Sequence, residues 1–269
     1  MDSRKLAQCY DSDVGPGWDD RFLPMLLEAF PDELPAKANL LELACATGRL
    51  TEELLERLPA QGRVIAIEDG RELMELAKQR VADVGGRRVF FKKEAPEKIT
   101  FADATFDGVL AAGLPPIYDL RKVLAESARL LKPGGFLLLG VPLQGSFQEL
   151  FDALREVAEK EDLIPVQDGL DRIQQRLPER ATANRWLQEA GLVEPRTRTQ
   201  PASLAFPGAL ALLQSPLVRA FCLEGCLALI PDRSWREGVL AGMVKALDTY
   251  FPAGLELSLN LGRLEATKA

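Results

Sequence analysis

The sequence predicts an α/β fold built on a mainly parallel, doubly wound sheet with helices on both faces. Strand and helix patterns alternate through the first half of the chain, as in linked βαβ units. The strand patterns are continuous apolar runs, which is typical of strands buried on both sides. A loop of small residues, 44–48, joins the first strand directly to a helical pattern, and such loops bring backbone N–H groups up to nucleotide-like ligands.

Apolar periodicity and breaker residues define the elements of the first half. The expected strands are 40–43, 64–67, 89–91, 106–111 and 136–141. The expected helices are 20–30, 50–58, 71–84 and 120–131. Proline and glycine end these helices, most clearly at Pro59 and at the Pro133-Gly134-Gly135 segment.

The second half is less regular. Helices are expected at 147–161, 168–177 and 182–190, and strands at 193–199 and 255–266. Between those strands lies an apolar helical stretch, 207–251, with breaks at Pro216 and Pro231. Because no repeat or low-complexity linker interrupts the chain, we expect one domain with helical insertions.

Composition limits the partners and the location. The 269 residues carry a net charge of −7, which argues against a nucleic-acid partner because phosphate contacts need a basic surface. No apolar run approaches the roughly 20 residues that span a bilayer, and the start lacks an apolar signal-peptide core. We expect a cytoplasmic protein with no membrane span.

The chain contains no histidine. Its absence excludes Ser-His-Asp and Cys-His hydrolysis and every other mechanism with an imidazole base. Four cysteines are too few and too scattered for a disulfide scaffold. Cys222 and Cys226 lie four residues apart, but a metal site would need two more ligands. The favoured interpretation is two buried thiols in a helix, and no metal site is predicted.

Three features lie where the predicted strands end, and ligands of doubly wound sheets bind at that edge. The first is the loop 44–48, which follows Glu42. The second is Glu68, at the tip of the second strand, where a carboxylate can accept hydrogen bonds from ribose hydroxyls. The third is Glu94-Ala95, just past the third strand. Each feature alone is weak, but their order and strand context together favour a ligand site.

These features resemble the class I S-adenosylmethionine-dependent methyltransferases, closest to the small-molecule type. The resemblance covers about 10–141 and includes 41–51, 64–68, 94–95, 106–110 and the helix-end signature 130–135. It implies a Rossmann-like sheet of seven strands whose last strand is antiparallel. Residues 192–199 and 257–266 resemble the family's terminal strand pair.

The resemblance also implies a division of the single domain, 1–269. Residues 1–36 would form an N-terminal helical cover and 37–145 the cofactor-binding core. Residues 146–191 would be a helical insertion. The terminal strand pair would occupy 192–269, with apolar helices inserted at about 206–251.

The same resemblance implies S-adenosylmethionine as the cofactor and assigns its site. Glu42 and the backbone of Ala44, Cys45, Ala46 and Gly48 would hold the methionine end. Glu68 would bind the ribose, with Asp69 beside it, and Glu94 and Ala95 would face the adenine. The site beneath the sulfonium would be lined by Ala111 to Gly113. An N-terminal cover would be formed by Tyr10, Trp18 and Phe22, for which ordinary core packing is the alternative.

Two departures from the family pattern concern the ligand contacts. Alanine replaces glycine at positions 44 and 46. The first replacement costs little where φ is negative, whereas the second puts a methyl group where the backbone approaches the ligand. Together they suggest a tighter or weaker site. Glu68 and Glu94 replace the usual aspartates and lengthen each reach by one methylene.

Two segments could define an acceptor or partner. Residues 114–118, just after the fourth strand, superficially resemble a methyl-acceptor motif, but Leu114 replaces its polar residue and a rigid turn is favoured. The apolar stretch 206–251 could form a lid over an apolar acceptor, a homodimer interface or a docking surface for a protein. Packing against the sheet is the simpler alternative.

The leading hypothesis is methyl transfer to a small, apolar molecule by in-line displacement. The catalytic residue is unassigned; any protein base would be a carboxylate or a tyrosine such as Tyr118. The rival is a methyltransferase-like protein without turnover that serves as a binding or scaffold subunit. An NAD-dependent dehydrogenase is disfavoured because 44–48 lacks G-x-G-x-x-G.

Overall fold

The computed structural model describes residues 3–230 and 232–269 and has the predicted α/β architecture. Within the described residues, seven strands form one sheet in the order β3-β2-β1-β4-β5-β7-β6, with β7 antiparallel. The strands are β1 Asn39–Glu42, β2 Arg63–Ile67, β3 Val89–Lys92, β4 Phe106–Ala111, β5 Leu131–Pro142, β6 Leu192–Phe206 and β7 Leu255–Lys268. The predicted fold class is confirmed.

The strand order explains where a ligand would lie. β1 pairs in parallel with β2 on one side and β4 on the other, and Leu40 is aligned with both Val64 and Gly108. The chain thus runs outward from β1 through β2 to β3 and then returns to β4 on the opposite side. The carboxyl ends of β1 and β4 lie at this reversal point, which is the usual ligand position in doubly wound sheets.

The helices follow the predicted pattern in the first half, after an additional helical start. They are α1 Ser3–Cys9, α2 Gly15–Gly17, α3 Asp19–Glu28, α4 Arg49–Arg57, α5 Arg71–Arg80, α6 Ala82–Gly85 and α7 Leu120–Leu130. The second half contains α8 Gln148–Lys160, α9 Ile164–Gln174, α10 Arg180–Glu189, α11 Ala209–Gln214, α12 Pro216–Val218, α13 Glu224–Leu227 and α14 Trp235–Tyr250. Tyr10–Val14 and Arg219–Leu223 form π-helical turns.

Some boundaries differ from the prediction. The helix expected at 71–84 breaks at Val81, whose ψ of 10° leaves the helical range. β5 begins five residues early because Leu131 already pairs with Phe106. The ladder then shifts register before Phe136 pairs with Gly108. Pro231, where a helix break was predicted, lies outside the described residues.

The chain divides into two compact units. The first contains Met1–Val141, Arg180–Thr199 and Gly262–Ala269. Its core on one face of the sheet gathers buried side chains from β1, β2 and α4, including Leu40, Val64 and Leu54. The division of 1–269 into an N-terminal cover, a cofactor-binding core, a helical insertion and a terminal strand pair stays a prediction.

The second unit contains Pro142–Glu179 and Gln200–Leu261 and has its own buried core. Most of the apolar side chains in 206–251 are buried, among them Leu212, Leu213, Leu217, Val218, Phe221, Leu223, Leu227 and Ile230. Leu210, Trp235 and Tyr250 are more than half exposed. Packing therefore accounts for most of the apolar character of this stretch. No helix among the described residues is long and apolar enough to cross a membrane.

Candidate functional site

The loop after β1 is fixed by backbone hydrogen bonds to both neighbouring strands. The Leu43 N–H donates to the Leu110 carbonyl on β4 (2.8 Å), and the Cys45 N–H donates to the Ile67 carbonyl on β2 (2.9 Å). Gly48, with a φ of 83°, then opens α4. A Cβ on Gly48 would lie 3.0 Å from the Cα of Ala77, so both conformation and space require glycine there.

Ala44 and Ala46 both have left-handed backbone, with φ values of 47° and 46°. The condition under which Ala44 would cost little, a negative φ, is therefore not met. Left-handed backbone costs a residue with a Cβ roughly 1–2 kcal/mol. The loop backbone thus has a conformation suited to glycine, although Ala44 and Ala46 each carry a Cβ methyl group. Backbone strain is therefore stored where the ligand contact is predicted.

Glu68, at the tip of β2, binds the same loop. Its Oε2 accepts from the Ala46 N–H (2.9 Å), and its Oε1 accepts from the Gly70 N–H (2.8 Å). The residue is buried, with 4% of its surface exposed. Burial raises the pKa of Glu68 to about 7, although both backbone hydrogen bonds favour the ionised form.

Glu42, at the end of β1, is buried and accepts a hydrogen bond from the Thr51 hydroxyl (2.6 Å). Burial raises the pKa of Glu42 to about 8, and the charges of Asp19 and Glu68 act in the same direction. Burial likewise raises the pKa of the Cys45 thiol well above its usual range. Cys45 is consequently no nucleophile near neutral pH.

Asp69 is exposed and lies beside the half-buried Tyr118. Burial and the carboxylates of Asp69 and Glu68 raise the pKa of Tyr118 far above its usual range. Tyr118 therefore stays protonated and is excluded as a base near neutral pH. The Tyr118 N–H donates to the Pro115 carbonyl at 3.3 Å, so this segment is a turn, as the sequence favoured.

Glu94 is engaged by its own segment. Its carboxylate accepts hydrogen bonds from the Thr100 N–H and hydroxyl and forms an ion pair with Lys92 (2.9 Å). Burial alone would raise the pKa of Glu94, but these partners outweigh it and hold the pKa below its usual value. Ala95 forms an isolated antiparallel bridge with Lys98. The adenine-facing role of both residues stays a prediction.

The N-terminal aromatic residues close the end of β4, next to Ala111. Trp18 and Phe22 are fully buried, and their rings meet edge to face at 5.3 Å between centroids. The Trp18 indole N–H donates to the Gly113 carbonyl. A Cβ on Gly113 would lie only 2.6 Å from Trp18 Nε1. Glycine is therefore required where this segment covers the strand end.

Polar residues bind the N-terminal segment to the loop, and no pattern in the sequence predicted these contacts. Asp11 Oδ1 accepts from the Thr47 hydroxyl (2.7 Å) and from Arg80 (2.6 Å), which also donates to the Thr47 carbonyl. Arg49 donates to the Asp11 carbonyl and forms a two-pronged ion pair with Asp20.

Asp19 is a further residue that sequence reasoning missed. It is buried, with 6% of its surface exposed, and Oδ1 accepts a hydrogen bond from the Tyr10 hydroxyl (3.2 Å). Burial raises the pKa of Asp19 to about 8. The sequence does not distinguish Asp19 from its neighbour Asp20. Their environments differ because the two residues occupy successive positions on a turn of α3.

The comparisons with known proteins concern the segment that contains this loop. A family model described as a methyltransferase domain matches residues 40–135, from β1 to the beginning of β5. This segment is therefore similar to the methyltransferase family. The 2-phytyl-1,4-naphthoquinone methyltransferase of Thermosynechococcus vestitus is 36% identical over 104 residues, which are 38% of this chain and 45% of that protein.

Two further similarities extend the comparison. The demethylmenaquinone methyltransferase of Lactiplantibacillus plantarum is 35% identical over 107 residues, 39% of this chain and 45% of that protein. The chain thus spans less than half the length of either curated relative. A crystal structure of a putative methyltransferase from Bacillus halodurans matches 91% of this chain and 98% of its own, with a TM-score of 0.57 and 16% identity. That similarity concerns the fold.

Proposed function

We propose that the chain binds S-adenosylmethionine at the carboxyl ends of β1 and β2 and transfers its methyl group to a small, apolar acceptor. One arrangement carries the proposal. Buried Glu42 ends the strand that leads into the loop 44–48, and buried Glu68 accepts a hydrogen bond from the Ala46 N–H of that loop, at the reversal point of the sheet. The loop lies inside the segment that matches the methyltransferase family.

The donors and acceptors of the site suit this ligand. A ribose diol and an ammonium group donate hydrogen bonds, and carboxylates accept them at about four lone-pair sites each. The backbone donors occupy one position on each oxygen of Glu68, so further acceptor sites remain. Of the residues assigned by resemblance, Glu42, Ala44, Cys45, Ala46, Gly48 and Glu68 form one connected group. Asp69 and Ala111 adjoin it.

Chemically, the chain contributes binding and orientation. When bound, S-adenosylmethionine supplies a sulfonium methyl group that is already activated for displacement. Orientation of two reactants is worth about 7–11 kcal/mol, so a site without a protein base is sufficient for an acceptor that carries its own nucleophile. Tyr118 and Cys45 hold their protons near neutral pH and are not assigned to catalysis.

The names of the relatives favour an apolar acceptor of the quinol class. Both relatives are named for methylation of naphthoquinone compounds. Their similarity covers 38% and 39% of the chain, so the acceptor class is the less constrained part of the proposal. A homodimer or a docked protein has less support, because most apolar side chains of 206–251 are buried in the second unit. A cytoplasmic location stays a prediction.

Isothermal titration with S-adenosylmethionine tests the binding step. We expect a saturable heat for the wild type and weaker binding for Glu68→Ala, which removes the acceptor for Ala46 and Gly70. Glu75→Ala is the matched control, because Glu75 lies on the outer side of α5 and pairs with Lys78. No heat at high protein concentration would contradict the proposal.

Transfer of a labelled methyl group tests turnover separately. The acceptors are a reduced demethylnaphthoquinone with a prenyl tail and its tail-less analogue, and we expect label in the tailed compound. The rival hypothesis is a binding or scaffold protein without turnover. It would be supported if the chain binds the cofactor saturably but transfers label to no compound of an apolar panel.

A further inference from the structure

Asp19 occupies a special position in the candidate site. It follows Trp18 directly, and the Trp18 indole donates to the carbonyl of Gly113, just past the end of β4. Under the proposed function, Ala111 to Gly113 lie beneath the sulfonium. The backbone that carries Asp19 is therefore anchored beside the place where the positive charge of the cofactor is expected.

The side chain of Asp19 faces inward. The Tyr10 hydroxyl donates to its Oδ1, and its charge raises the pKa values of Glu42 and Cys45 at the loop after β1. The neighbouring Asp20 differs: its carboxylate is half exposed and binds Arg49 at 2.8 Å. Two adjacent aspartates thus lie in different environments, one exposed at the surface and one buried.

Burial raises the pKa of Asp19 to about 8, so the free protein holds this carboxyl largely protonated, and the charges around it do not fully compensate its ionised form. Glu68 and Asp20 act on it with the same sign, and Arg49 acts with the opposite sign. Arg49 is already paired with Asp20. Because charges interact more strongly in a buried site than in water, a positive group brought close to Asp19 would be held more firmly than an uncharged group of the same shape.

We propose that Asp19 is a specificity residue that favours ligands with a positive charge at the sulfonium position over the uncharged thioether left after transfer. This inference rests on the proposed function. A sulfonium has no N–H or O–H proton to donate, so a carboxylate distinguishes it from a thioether by its charge. The consequence for turnover is easier release of the product.

The test compares three ligands by isothermal titration on wild type and Asp19→Asn. S-adenosylmethionine carries the sulfonium, sinefungin carries an ammonium at that position, and S-adenosylhomocysteine carries a neutral sulfur. Asparagine keeps an acceptor for the Tyr10 hydroxyl. We expect Asp19→Asn to weaken the two charged ligands about tenfold, the loss that corresponds to about 1.4 kcal/mol. Binding of S-adenosylhomocysteine should change less than about twofold.

Asp20→Asn is the matched control, because it removes an equal charge one residue away at the surface. We expect it to leave the affinity ratio between S-adenosylmethionine and S-adenosylhomocysteine unchanged. If Asp19→Asn weakens all three ligands equally, the inference is wrong and the proposed function stands. If the wild type binds none of the three, the proposed function itself fails.

A measurement on the wild type covers the case in which Asp19→Asn does not fold. Near pH 7, burial keeps Asp19 largely protonated, in surroundings formed by Tyr10, Arg49, Asp20, Glu42 and Glu68. A positive ligand should release that proton, which titrations in buffers of different ionisation enthalpy detect. We expect more protons released by S-adenosylmethionine than by S-adenosylhomocysteine. Equal release would overturn the inference.

Discussion

The Glu68 carboxylate accepts a hydrogen bond from the Ala46 backbone N–H, with 2.9 Å between Oε2 and the nitrogen. The bond joins the tip of β2 to the middle of the loop that follows β1. Since Oε1 binds the Gly70 N–H, both oxygens are positioned before any ligand arrives. The acid at the strand end therefore shapes the loop as well as offering acceptor sites to a ligand.

Replacing Ala44 and Ala46 by glycine should stabilise the free protein. Relief of left-handed strain is worth about 1–2 kcal/mol per residue, and the added freedom of the unfolded chain opposes it by about 0.4–1 kcal/mol. We expect each variant to raise the free energy of unfolding by roughly 0.5–1 kcal/mol in urea titrations.

Ala125→Gly is the control for this pair, since Ala125 is exposed in the middle of α7. The same chemical change should lower the free energy of unfolding there by about 1 kcal/mol. If Ala44→Gly and Ala46→Gly lower the free energy of unfolding as much as Ala125→Gly does, the loop is not strained.

Gly113→Ala should detach the N-terminal aromatic cover. The new methyl group would lie 2.6 Å from Trp18 Nε1 and 2.7 Å from Phe22, at a φ of 70°. We expect a loss of about 2–4 kcal/mol in the free energy of unfolding, from left-handed strain plus displaced aromatic packing. The tryptophan emission should shift to the red as Trp18 becomes hydrated.

Gly134→Ala measures the backbone-strain part of that effect by itself. Gly134 has a similar φ of 77°, but a Cβ there would meet nothing within 4 Å. We expect a loss of about 1–2 kcal/mol, from backbone strain alone, and an unchanged emission spectrum. Equal losses at both positions would contradict the packing of Trp18 on Gly113.

The stability of the free protein should fall as pH rises from 5 to 9. Burial raises the pKa of Glu42 from 4.5 to about 8, so the folded state keeps a proton that the unfolded state loses above 4.5. The associated stability is complete below pH 4.5 and disappears as pH rises through 8. Asp19 and Glu68 shift in the same direction.

Urea titrations at several pH values of the wild type and Glu42→Gln measure this linkage. Each such group contributes a slope of up to about 1.4 kcal/mol per pH unit. Glu42→Gln should make the slope shallower, whereas Glu75→Gln, a change at an exposed carboxylate, should not. A wild-type stability that rises between pH 5 and 8 would contradict the buried, protonated state of Glu42.

Asp11→Asn should loosen the N-terminal segment from the loop. The change removes the charge that Arg80 and the Thr47 hydroxyl bind at 2.6 and 2.7 Å. We expect faster limited proteolysis within residues 3–18, measured by mass spectrometry of the fragments. Asp13→Asn is the control, since the contacts of Asp13 go to Cys9 and Ser12 in its own segment. Equal cleavage rates in both variants would refute a tie through Asp11.

Much of the site could be predicted because it depends on short-range order along the chain. Glu42 and Glu68 were expected at the ends of β1 and β2, and parallel strands bring their carboxyl ends to one edge. The same logic placed Glu94 after β3. It could not show that Lys92 and Thr100 would engage that carboxylate, because this depends on how the segment after β3 folds back.

Sequence by itself predicted the mainly parallel sheet and the position of the loop 44–48. Apolar periodicity and glycine or proline breaks involve only a few neighbouring residues. They can therefore be recognised before the tertiary structure is known. The tertiary structure alone decided the φ values of Ala44 and Ala46, the burial of Asp19 and the contact of Trp18 with Gly113. Those properties arise where segments up to about a hundred residues apart meet, and burial and electrostatics exist only once they do.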